Sequence, residues 1–236
     1  MTKQQVVTIT FFRYERPSSM WWAFRQMGLV GPLLSAVKGL TFSKVLGSGA
    51  KDGFSVWPNF KVYGLLCCWE TEELAKQFFD ADPLYLDFKN HSAEQWTVYM
   101  RNTMTHGQWD GQNPFQKTAQ QKDDRLVGVL TRATIKTKHL LHFWRFVPSV
   151  SESVQDMDGR LFSVGVGELP IVQQATFSFW KSSELMKAYA YKSKYHKEVV
   201  QKTRQLGWYK EELFARFAPY QSAGTWNGLS LLDAYL

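Results

Sequence analysis

The chain has 236 residues, and 44% of them are hydrophobic, which is enough to bury a full core without disulfides or metals. Its formal net charge of +7 is dispersed along the chain, and this favours solvated surfaces over a site for an acidic partner such as nucleic acid or an anionic membrane surface. The two cysteines, Cys67 and Cys68, are adjacent and point to opposite faces of a strand, and no apolar stretch approaches the roughly 18 residues that span a bilayer. We therefore expect a globular, cytoplasmic protein without disulfides.

Hydrophobic periodicity predicts six elements in the first half of the chain. They are strands at 6–14, 41–47, 61–69 and 94–101 and helices at 19–37 and 72–88. The segment "GSGAKDG" between the second and third strands has neither the spacing nor the following helix of a nucleotide-binding loop. It is typical of a hairpin turn.

The second half of the chain repeats this order of elements. We predict strands at 126–135, 160–166, 172–180 and 211–217 and helices at 139–154 and 183–206. Short matches link the halves: "MWWAFRQMG" aligns with "LLHFWRFVP", "GLTFSKVLGSG" with "GRLFSVGVGEL", and "CCWETEELAKQF" with "SFWKSSELMKAY". The chain therefore carries a βαββαβ unit twice.

This repeat predicts the fold class and the limits of its parts. A single βαββαβ unit leaves one face of its antiparallel sheet apolar, and two units seal those faces together. We predict an α+β fold, a dimeric α+β barrel made of two ferredoxin-like repeats in one chain with their sheets packed face to face. The halves are residues 1–104 and 125–236, and the Gly- and Pro-containing segment 105–124 is the linker.

One histidine stands out from the helical pattern. His196 falls on the inward face of the helix predicted at 183–206, and the repeat aligns it with Leu84, so the fold does not require a histidine there. Two interpretations stay open: a core histidine satisfied by hydrogen bonds, or a ligand or catalytic residue. His91 ends a helix, where a cation or cap is expected, and His106 is expected in an exposed loop. For His139 and its neighbour His142, packing or hydrogen bonding is expected.

Other metal chemistry finds little support in the sequence. No HExxH, CxxC or carboxylate cluster supplies three convergent zinc ligands. A single inward histidine on a long helix that faces a sheet is the minimum arrangement for a haem iron with one axial imidazole.

Several runs stand in order along nearly the whole chain: "WAFRQMG", "GSG…GF…PN", "HSAEQWTVYM", "LTRATIKTKHLLHFWRFVP", "QATFSFW", "HKEVV", "WYKEELFARF" and "AGTWNG". This ordered set resembles the spheroidene monooxygenase family. The resemblance implies a haem-dependent monooxygenase that oxygenates an acyclic carotenoid or a similar apolar substrate, first to a hydroxyl and then to a keto group. It also implies dioxygen and a ferredoxin-like electron donor as partners.

The resemblance directs attention to residues of the second half, which would then be the haem-binding half. His196 would bind the iron and Val200, on the same helix face, would lie against the cofactor. Polar residues at alternate strand positions would form the opposite wall. Arg132, Thr134 and Ser178 are the candidate catalytic residues, and Arg132 and Thr176 the candidate cofactor contacts.

Arg132 has two interpretations. The repeat aligns Arg132 with Phe12, so the two halves carry different residues at this position, as they do at the position of His196. A buried arginine could hold a haem propionate or polarise bound oxygen, and an ion pair at a sheet end would serve equally well.

The remaining expectations concern substrate, partners and alternative functions. A substrate channel or the core would use the large rings of Trp21, Trp22, Trp144, Phe177, Phe179 and Trp180. We expect no nucleic acid as a partner, and we allow for contact with a membrane surface and for a homo-oligomer. The alternatives to the monooxygenase are another histidine-ligated haem enzyme, such as a peroxidase or dehydratase, and a cofactor-free α+β barrel that binds a ligand.

Overall fold

The computed structural model describes residues 4–50, 57–140, 159–169, 172–192 and 207–236. In these ranges the strands are β1 (Val6–Arg13), β2 (Leu40–Gly49), β3 (Pro58–Trp69), β4 (Glu94–Gly107), β5 (Val127–Ile135), β6 (Arg160–Gly167), β7 (Gln173–Trp180) and β8 (Tyr209–Gly224). The α-helices are α1 (Pro17–Leu29), α2 (Gly31–Ser35), α3 (Glu72–Ala81), α4 (Pro83–His91) and α5 (Ser183–Lys192), and a 3₁₀ turn covers Thr137–His139. None of the helices in these ranges is long and apolar enough to cross a bilayer.

The strands form one closed barrel in the order β1-β3-β2-β6-β7-β5-β8-β4, and every pairing is antiparallel. The first four strands are arranged as β4-β1-β3-β2 and the last four as β8-β5-β7-β6, which is the same order. Hydrogen bonds between β2 and β6 and between β4 and β8 join the two sheets. The α+β barrel predicted from the sequence is confirmed as an eight-stranded antiparallel barrel, and its sheets meet at both edges as well as across the core.

Prolines divide two helices that the sequence predicts as continuous. The helix predicted at 19–37 breaks at Val30, because Pro32 has no N–H to bond a carbonyl one turn earlier and its ring crowds that carbonyl. The helix predicted at 72–88 breaks at Asp82. There the Asp82 side chain accepts a hydrogen bond of 2.9 Å from the Leu84 N–H, and Pro83 begins α4.

Strands β4 and β8 are longer than predicted, with 14 and 16 residues. Each pairs along one edge with a strand of its own sheet and along the other edge with the other long strand. Residues 101–107 of β4 and 218–224 of β8 extend beyond the first pairing and pair only across the boundary between the halves. Residues 105–107, which the sequence assigns to the linker, are therefore the end of β4. The added length comes from pairing with a strand of the other half, and no local sequence pattern predicts such pairing.

The barrel interior is a hydrophobic core. Alternate residues of β1 face inward, among them Ile9 and Phe11, while Val6 and Phe12 face the helices. Phe11 and Phe162 bring rings from opposite sheets to a centroid distance of 5.0 Å. Other large interior rings among the described residues include Phe42, Trp96, Phe115, Phe177, Phe179 and Phe217.

Each end of the barrel is closed by a tryptophan in a tight turn. The turn after β4 places Trp109, and the turn after β8 places Trp226, against the interior core. Each turn is closed by a hydrogen bond from the backbone N–H of its tryptophan. Trp109 donates to the carbonyl of Gln112 at 2.7 Å, and Trp226 donates to the carbonyl of Leu229 at 2.9 Å. These turns belong to the segments "WDG" and "WNG", which lie outside the three matches of the sequence repeat.

Candidate functional site

Strand register defines which residues of the two halves are equivalent. Val6 of β1 pairs with Trp69 of β3, and Val127 of β5 pairs with Trp180 of β7. The two tryptophans also align in the sequence repeat. Counting along the strands from these pairs gives an equivalent in one half for each position of the other.

The outer face of the first sheet is covered with large rings. Phe12 packs against Phe88 of α4 at 5.3 Å and against Tyr85 at 6.3 Å, and Tyr14 packs against Trp22 of α1 at 6.2 Å. These rings fill the space between the first sheet and its helices.

The equivalent face of the second sheet carries smaller side chains. Ala133 takes the place of Phe12, Gly165 that of Val45, Thr176 that of Leu65, and Ser178 that of Cys67. We call Ala133, Gly165, Thr176 and Ser178 the outer wall. Because protein interiors are close-packed, a face that lacks large side chains lies either against a nearer helical layer or against a flat ligand.

The outer wall also offers polar atoms. The buried hydroxyl of Thr176 has no hydrogen-bond partner among the described residues. Ser178 Oγ accepts a hydrogen bond of 3.0 Å from Trp180 Nε1, which leaves its own hydrogen to donate. An unsatisfied buried hydroxyl costs about 1–3 kcal/mol, so a ligand that accepts from Thr176 would recover that energy.

Helix α5 packs beside the outer wall. The ring of Tyr189 stacks on Trp180 at a centroid distance of 5.2 Å, and Met186 joins the cluster that contains Val127 and Val129. These contacts anchor the start of the second helical layer on β5 and β7. His196 and Val200, the predicted metal ligand and its neighbour, lie outside the described residues.

Arg132 lies inside the barrel, near the end that Trp109 closes. Its side chain is buried, its Nη1 donates to Glu211, and its Nη2 lies 3.6 Å from Asp110 and 3.8 Å from Glu168. The guanidinium also lies 5.3 Å from the centre of the Trp109 ring. The structure thus contains the ion pair at a sheet end that the sequence left open as the alternative for Arg132.

The alignment of Arg132 with Phe12 is wrong by one residue. The register makes Arg132 equivalent to Phe11, and a slip of one residue moves a side chain to the opposite face of a sheet. Arg132 and Thr134, two residues apart on β5, therefore face the interior, whereas the β7 residues Thr176 and Ser178 face outward. The structure does not bring these four candidate residues together in one site.

The three histidines in the described ranges, His91, His106 and His139, lie within or at the end of regular secondary structure. His91 ends α4, where Nδ1 lies 2.9 Å from the carbonyl of Asp87 and its ring stacks on Trp22 at 4.0 Å. His106 is exposed as expected, but it belongs to strand β4 and not to a loop. His139 ends the 3₁₀ turn. Within the described ranges no group of three His, Cys, Asp or Glu residues could hold a metal ion.

The large rings suggested for a substrate channel do not line one space. Phe177 and Phe179 belong to the interior core, Trp180 belongs to the cluster outside the second sheet, and Trp22 packs with the helices of the first half. Trp21 is exposed on α1. Trp144 lies outside the described residues.

Sequence reasoning missed the small residues of the outer wall. Ala133 and Gly165 belong to no motif, and only comparison with Phe12 and Val45 makes them noticeable. Correct strand register was the signal that could have identified them, because a repeat aligned one residue out of phase compares opposite faces.

No family model matches the sequence. Three curated relatives, each named spheroidene monooxygenase, do match it. The protein from Rhodobacter capsulatus is 33% identical over 225 residues, which is 94% of this chain and 93% of the relative. That from Cereibacter sphaeroides is 34% identical over 225 residues, 95% of this chain and 69% of the relative. The third, from Rubrivivax gelatinosus, is 32% identical over 190 residues, 80% and 73%.

Solved structures share the backbone architecture at low identity. An aldoxime dehydratase matches with a TM-score of 0.61 and 11% identity over 93% of this chain and 82% of its own. A second aldoxime dehydratase, crystallised with butyraldoxime, matches with a TM-score of 0.63 and 10% identity over 93% and 81%. At such identity the likeness describes the fold alone.

Proposed function

The chain belongs to the spheroidene monooxygenase family, and on that premise we propose that it is a monooxygenase, an oxidoreductase acting on an acyclic carotenoid or a similarly apolar substrate. The observation that carries the proposal is identity of 33% over almost the full length of both this chain and its Rhodobacter capsulatus relative. A monooxygenase places one atom of dioxygen in the substrate and reduces the other to water, which consumes two electrons and two protons. A ferredoxin-like protein is the proposed electron donor.

The proposed product is a hydroxyl group that is converted to a keto group. One oxygenation replaces a C–H bond with C–OH. A second oxygenation of the same carbon gives a geminal diol, and loss of water from it leaves the ketone. Each round uses one dioxygen and two electrons, so the ketone requires twice the reductant of the alcohol.

We propose that haem is the cofactor and that the outer wall is the sheet side of its site. The small side chains of Ala133 and Gly165 suit a flat macrocycle, and the unpartnered hydroxyl of Thr176 suits a polar ligand. On the sequence evidence, His196 would hold the iron and Val200 would be an apolar neighbour. When bound, haem iron supplies the activation of dioxygen.

The side chains of this protein then bind and orient the reactants. Thr176 and Ser178 would donate hydrogen bonds from the outer wall, and Trp180 holds the Ser178 hydroxyl in place. We assign Arg132 and Thr134 no direct contact with cofactor, since both face the interior. Arg132 would act indirectly, by anchoring β5 to β8 through Glu211.

The packing of the barrel determines where an apolar substrate can bind. Phe11, Phe162 and Phe177 meet in the interior at ring distances of 5.0 to 6.3 Å, so a long polyene has no entry there. The proposed substrate site is therefore outside the barrel, on the side of the outer wall. A dry site between sheet and helices would also keep water from the reacting carbon.

The visible spectrum of the purified protein tests the cofactor proposal. We expect a Soret band that His196→Ala abolishes, whereas His91→Ala leaves it intact because His91 stacks on Trp22 in the first half. A wild-type protein that gives no Soret band after supplementation with haem would refute the haem proposal and favour the cofactor-free alternative. Turnover of spheroidene with a reduced ferredoxin then tests the oxygenase proposal.

A substitution in the outer wall tests the location of the site. Ala133→Phe restores the side chain that the first half carries as Phe12, so the barrel should fold while haem absorbance falls by about tenfold or more. Ala223→Phe, at an exposed residue near the end of β8, is the matched control. Equal haem content in both variants would place the cofactor elsewhere.

A second candidate is a dehydratase, because the solved aldoxime dehydratases share the fold at TM-scores of 0.61 and 0.63. Dehydration of butyraldoxime to butyronitrile releases water and consumes no dioxygen. Oxygen uptake with spheroidene, compared with nitrile formation from butyraldoxime, separates the two candidates. A peroxidase would instead require hydrogen peroxide.

We also propose that the halves form a ferredoxin-like repeat and that the protein forms a homo-oligomer in contact with a membrane. Gly39 and Gly159 support the repeat, since they have positive φ values of 76° and 85°. A Cβ on Gly39 would collide with Leu74, and a Cβ on Gly159 would collide with Leu185, the leucine at the equivalent position of the second half.

Analytical ultracentrifugation tests the proposed homo-oligomer.

A further inference from the structure

Helix α1 and strand β3 form an apolar surface on the first half of the protein. Trp21, Phe24 and Phe60 have exposures of 62%, 46% and 49%. Trp21 stacks on Phe24 at 5.7 Å and Phe24 meets Phe60 edge to face at 5.8 Å, so the three rings are continuous. We call Trp21, Phe24 and Phe60 the aromatic surface. Leu29 at the end of α1, Leu33 in α2 and Trp57 just before β3 add exposed apolar side chains on the same segments, with exposures of 53%, 58% and 77%.

The sequence of α1 places apolar residues on two sides of the helix. Ser19 and Ala23 are buried against the sheet. Trp21, Phe24 and Gly28 recur at three- and four-residue spacing on the exposed side, where a surface helix normally carries polar residues. An exposed apolar patch of this kind marks a binding surface.

The segments that carry the aromatic surface contain only positive charges, and acids lie beside them: Glu15 is next to Arg16, and Asp82 and Asp87 of α4 share a cleft with Leu33 and Lys38. Residues 16–50 contain no Asp or Glu, and neither do residues 57–69. Arg16, Arg25, Lys38 and Lys61 are exposed, and within the described residues none of them forms an ion pair. Some cations elsewhere are paired, as Lys76 is with Glu72 at 2.8 Å, and others, such as Lys117 and Arg125, are in no ion pair among the described residues. The unpaired positive charge favours an anionic partner.

We propose that the aromatic surface docks the protein on an anionic lipid bilayer. Trp and Phe side chains flanked by Arg and Lys have the composition of proteins that bind at the membrane–water interface. The rings would insert among the lipids while Arg16, Arg25 and Lys61 contact phosphate groups. This inference rests on the proposed function, because a carotenoid-like substrate dissolves in the bilayer and a docked enzyme could reach it there. Docking can nevertheless be measured without turnover.

Vesicle flotation tests the docking. The probes are vesicles of phosphatidylcholine alone and vesicles in which about one lipid in four is phosphatidylglycerol. We expect the wild-type protein to float with the anionic vesicles, with binding that weakens as salt rises. Trp21→Ala/Phe24→Ala/Phe60→Ala should weaken binding by about tenfold or more, and each of Arg25→Gln and Lys61→Gln by about fivefold.

Matched controls use residues of similar exposure elsewhere. Leu169→Ala and Leu229→Ala remove side chains that are 56% and 61% exposed, and Lys117→Gln removes an exposed charge; all three should bind as the wild type does. Because Arg25→Gln and Lys61→Gln change only exposed polar ends, they serve as the test if the triple variant fails to fold. Wild-type protein that does not float, or variants that float equally well, would overturn the proposal.

Two further measurements separate this inference from its rivals. If the wild type is a dimer that the triple variant converts to monomer, and neither floats, the surface binds a second copy and the proposal is wrong. Turnover separates docking from function: the triple variant should lose turnover of vesicle-embedded spheroidene and keep turnover of the detergent-dispersed substrate. Flotation without any turnover would refute the proposed function and leave the docking intact.

Discussion

Glu94 and Glu211 occupy equivalent positions in the two halves, and each carboxylate binds the tryptophan-containing turn that follows the long strand of the other half. Glu94 accepts from the backbone N–H groups of Asn227 and Gly228 at 3.0 and 2.7 Å. Glu211 accepts from Asp110 and Gly111 at 3.0 and 2.8 Å in the same way. The two carboxylates thus fasten both closing turns of the barrel and join the halves at each end.

These carboxylates should make stability depend on acid pH. Burial opposes the charged form of Glu94, but the Gly228 and Asn227 N–H groups, with Thr225 and Arg13, outweigh it and lower its pKa. For Glu211, burial is likewise outweighed by the Gly111 and Asp110 N–H groups and by Arg132, and the pKa is lowered.

Because both folded pKa values lie below the unfolded value of about 4.3, the stabilisation is complete above that pH. It is lost as the pH falls through the folded values. Glu94→Gln should cost about 2 kcal/mol at neutral pH, and Glu211→Gln about 3–5 kcal/mol because it leaves Arg132 buried without its closest carboxylate; both should flatten the acid side of the stability profile. Urea unfolding at several pH values measures both effects. An exposed acid, changed as Glu15→Gln, is the control, and a variant profile as steep as the wild type would contradict the assignment.

Gly107 should tolerate no side chain. Its φ is 88°, and a Cβ would collide with the backbone carbonyl of Glu212, which cannot move aside cheaply. We expect Gly107→Ala to lower the free energy of unfolding by about 3 kcal/mol or more.

Gly111 provides the matched control. Its φ of 77° is similar, but a Cβ there would meet nothing within 4 Å. Gly111→Ala should therefore cost only the backbone strain, about 1–2 kcal/mol. Equal losses in the two alanine variants, measured by urea denaturation, would show that strain and not the collision dominates.

Cys67 and Cys68 should be unreactive in the folded protein. Both are fully buried as free thiols; burial raises the pKa of Cys67, and burial with the neighbouring Cys67 raises that of Cys68. We expect no alkylation by iodoacetamide at neutral pH until the protein is unfolded in guanidinium, with mass spectrometry as the readout. Labelling of the native protein at the rate of the unfolded chain would contradict the buried placement.

Arg132 should matter for stability more than for the cofactor. Arg132→Met removes the positive partner of Glu211 in a buried setting and should cost about 3–5 kcal/mol. Haem absorbance of the folded fraction should be unchanged, because the side chain faces the interior. Arg125→Met, at an exposed residue, is the control, and a loss of haem without a loss of stability would restore the predicted cofactor role.

Local patterns of the sequence determined the type and order of the elements. Alternation of apolar residues in β1 and the apolar run in β3 predicted those strands within a few residues of their bounds, because side-chain periodicity is a property of neighbouring residues. The repeat of Trp69 and Trp180 likewise predicted equal strand order in the two halves. The breaks at Pro32 and Pro83 were also local, although the periodicity passed over them.

Only the tertiary structure decided which face of the sheet each side chain lies on and where the strands end. Whether Arg132 faces inward depends on its register against Leu213 and Ala175, and no local pattern distinguishes that register from one shifted by a residue. The lengths of β4 and β8, and the carboxylates that hold the closing turns, depend on residues about a hundred positions apart along the chain. Ala133 and Gly165 become candidate site residues for the same reason: a small side chain carries no signal until its surroundings are known.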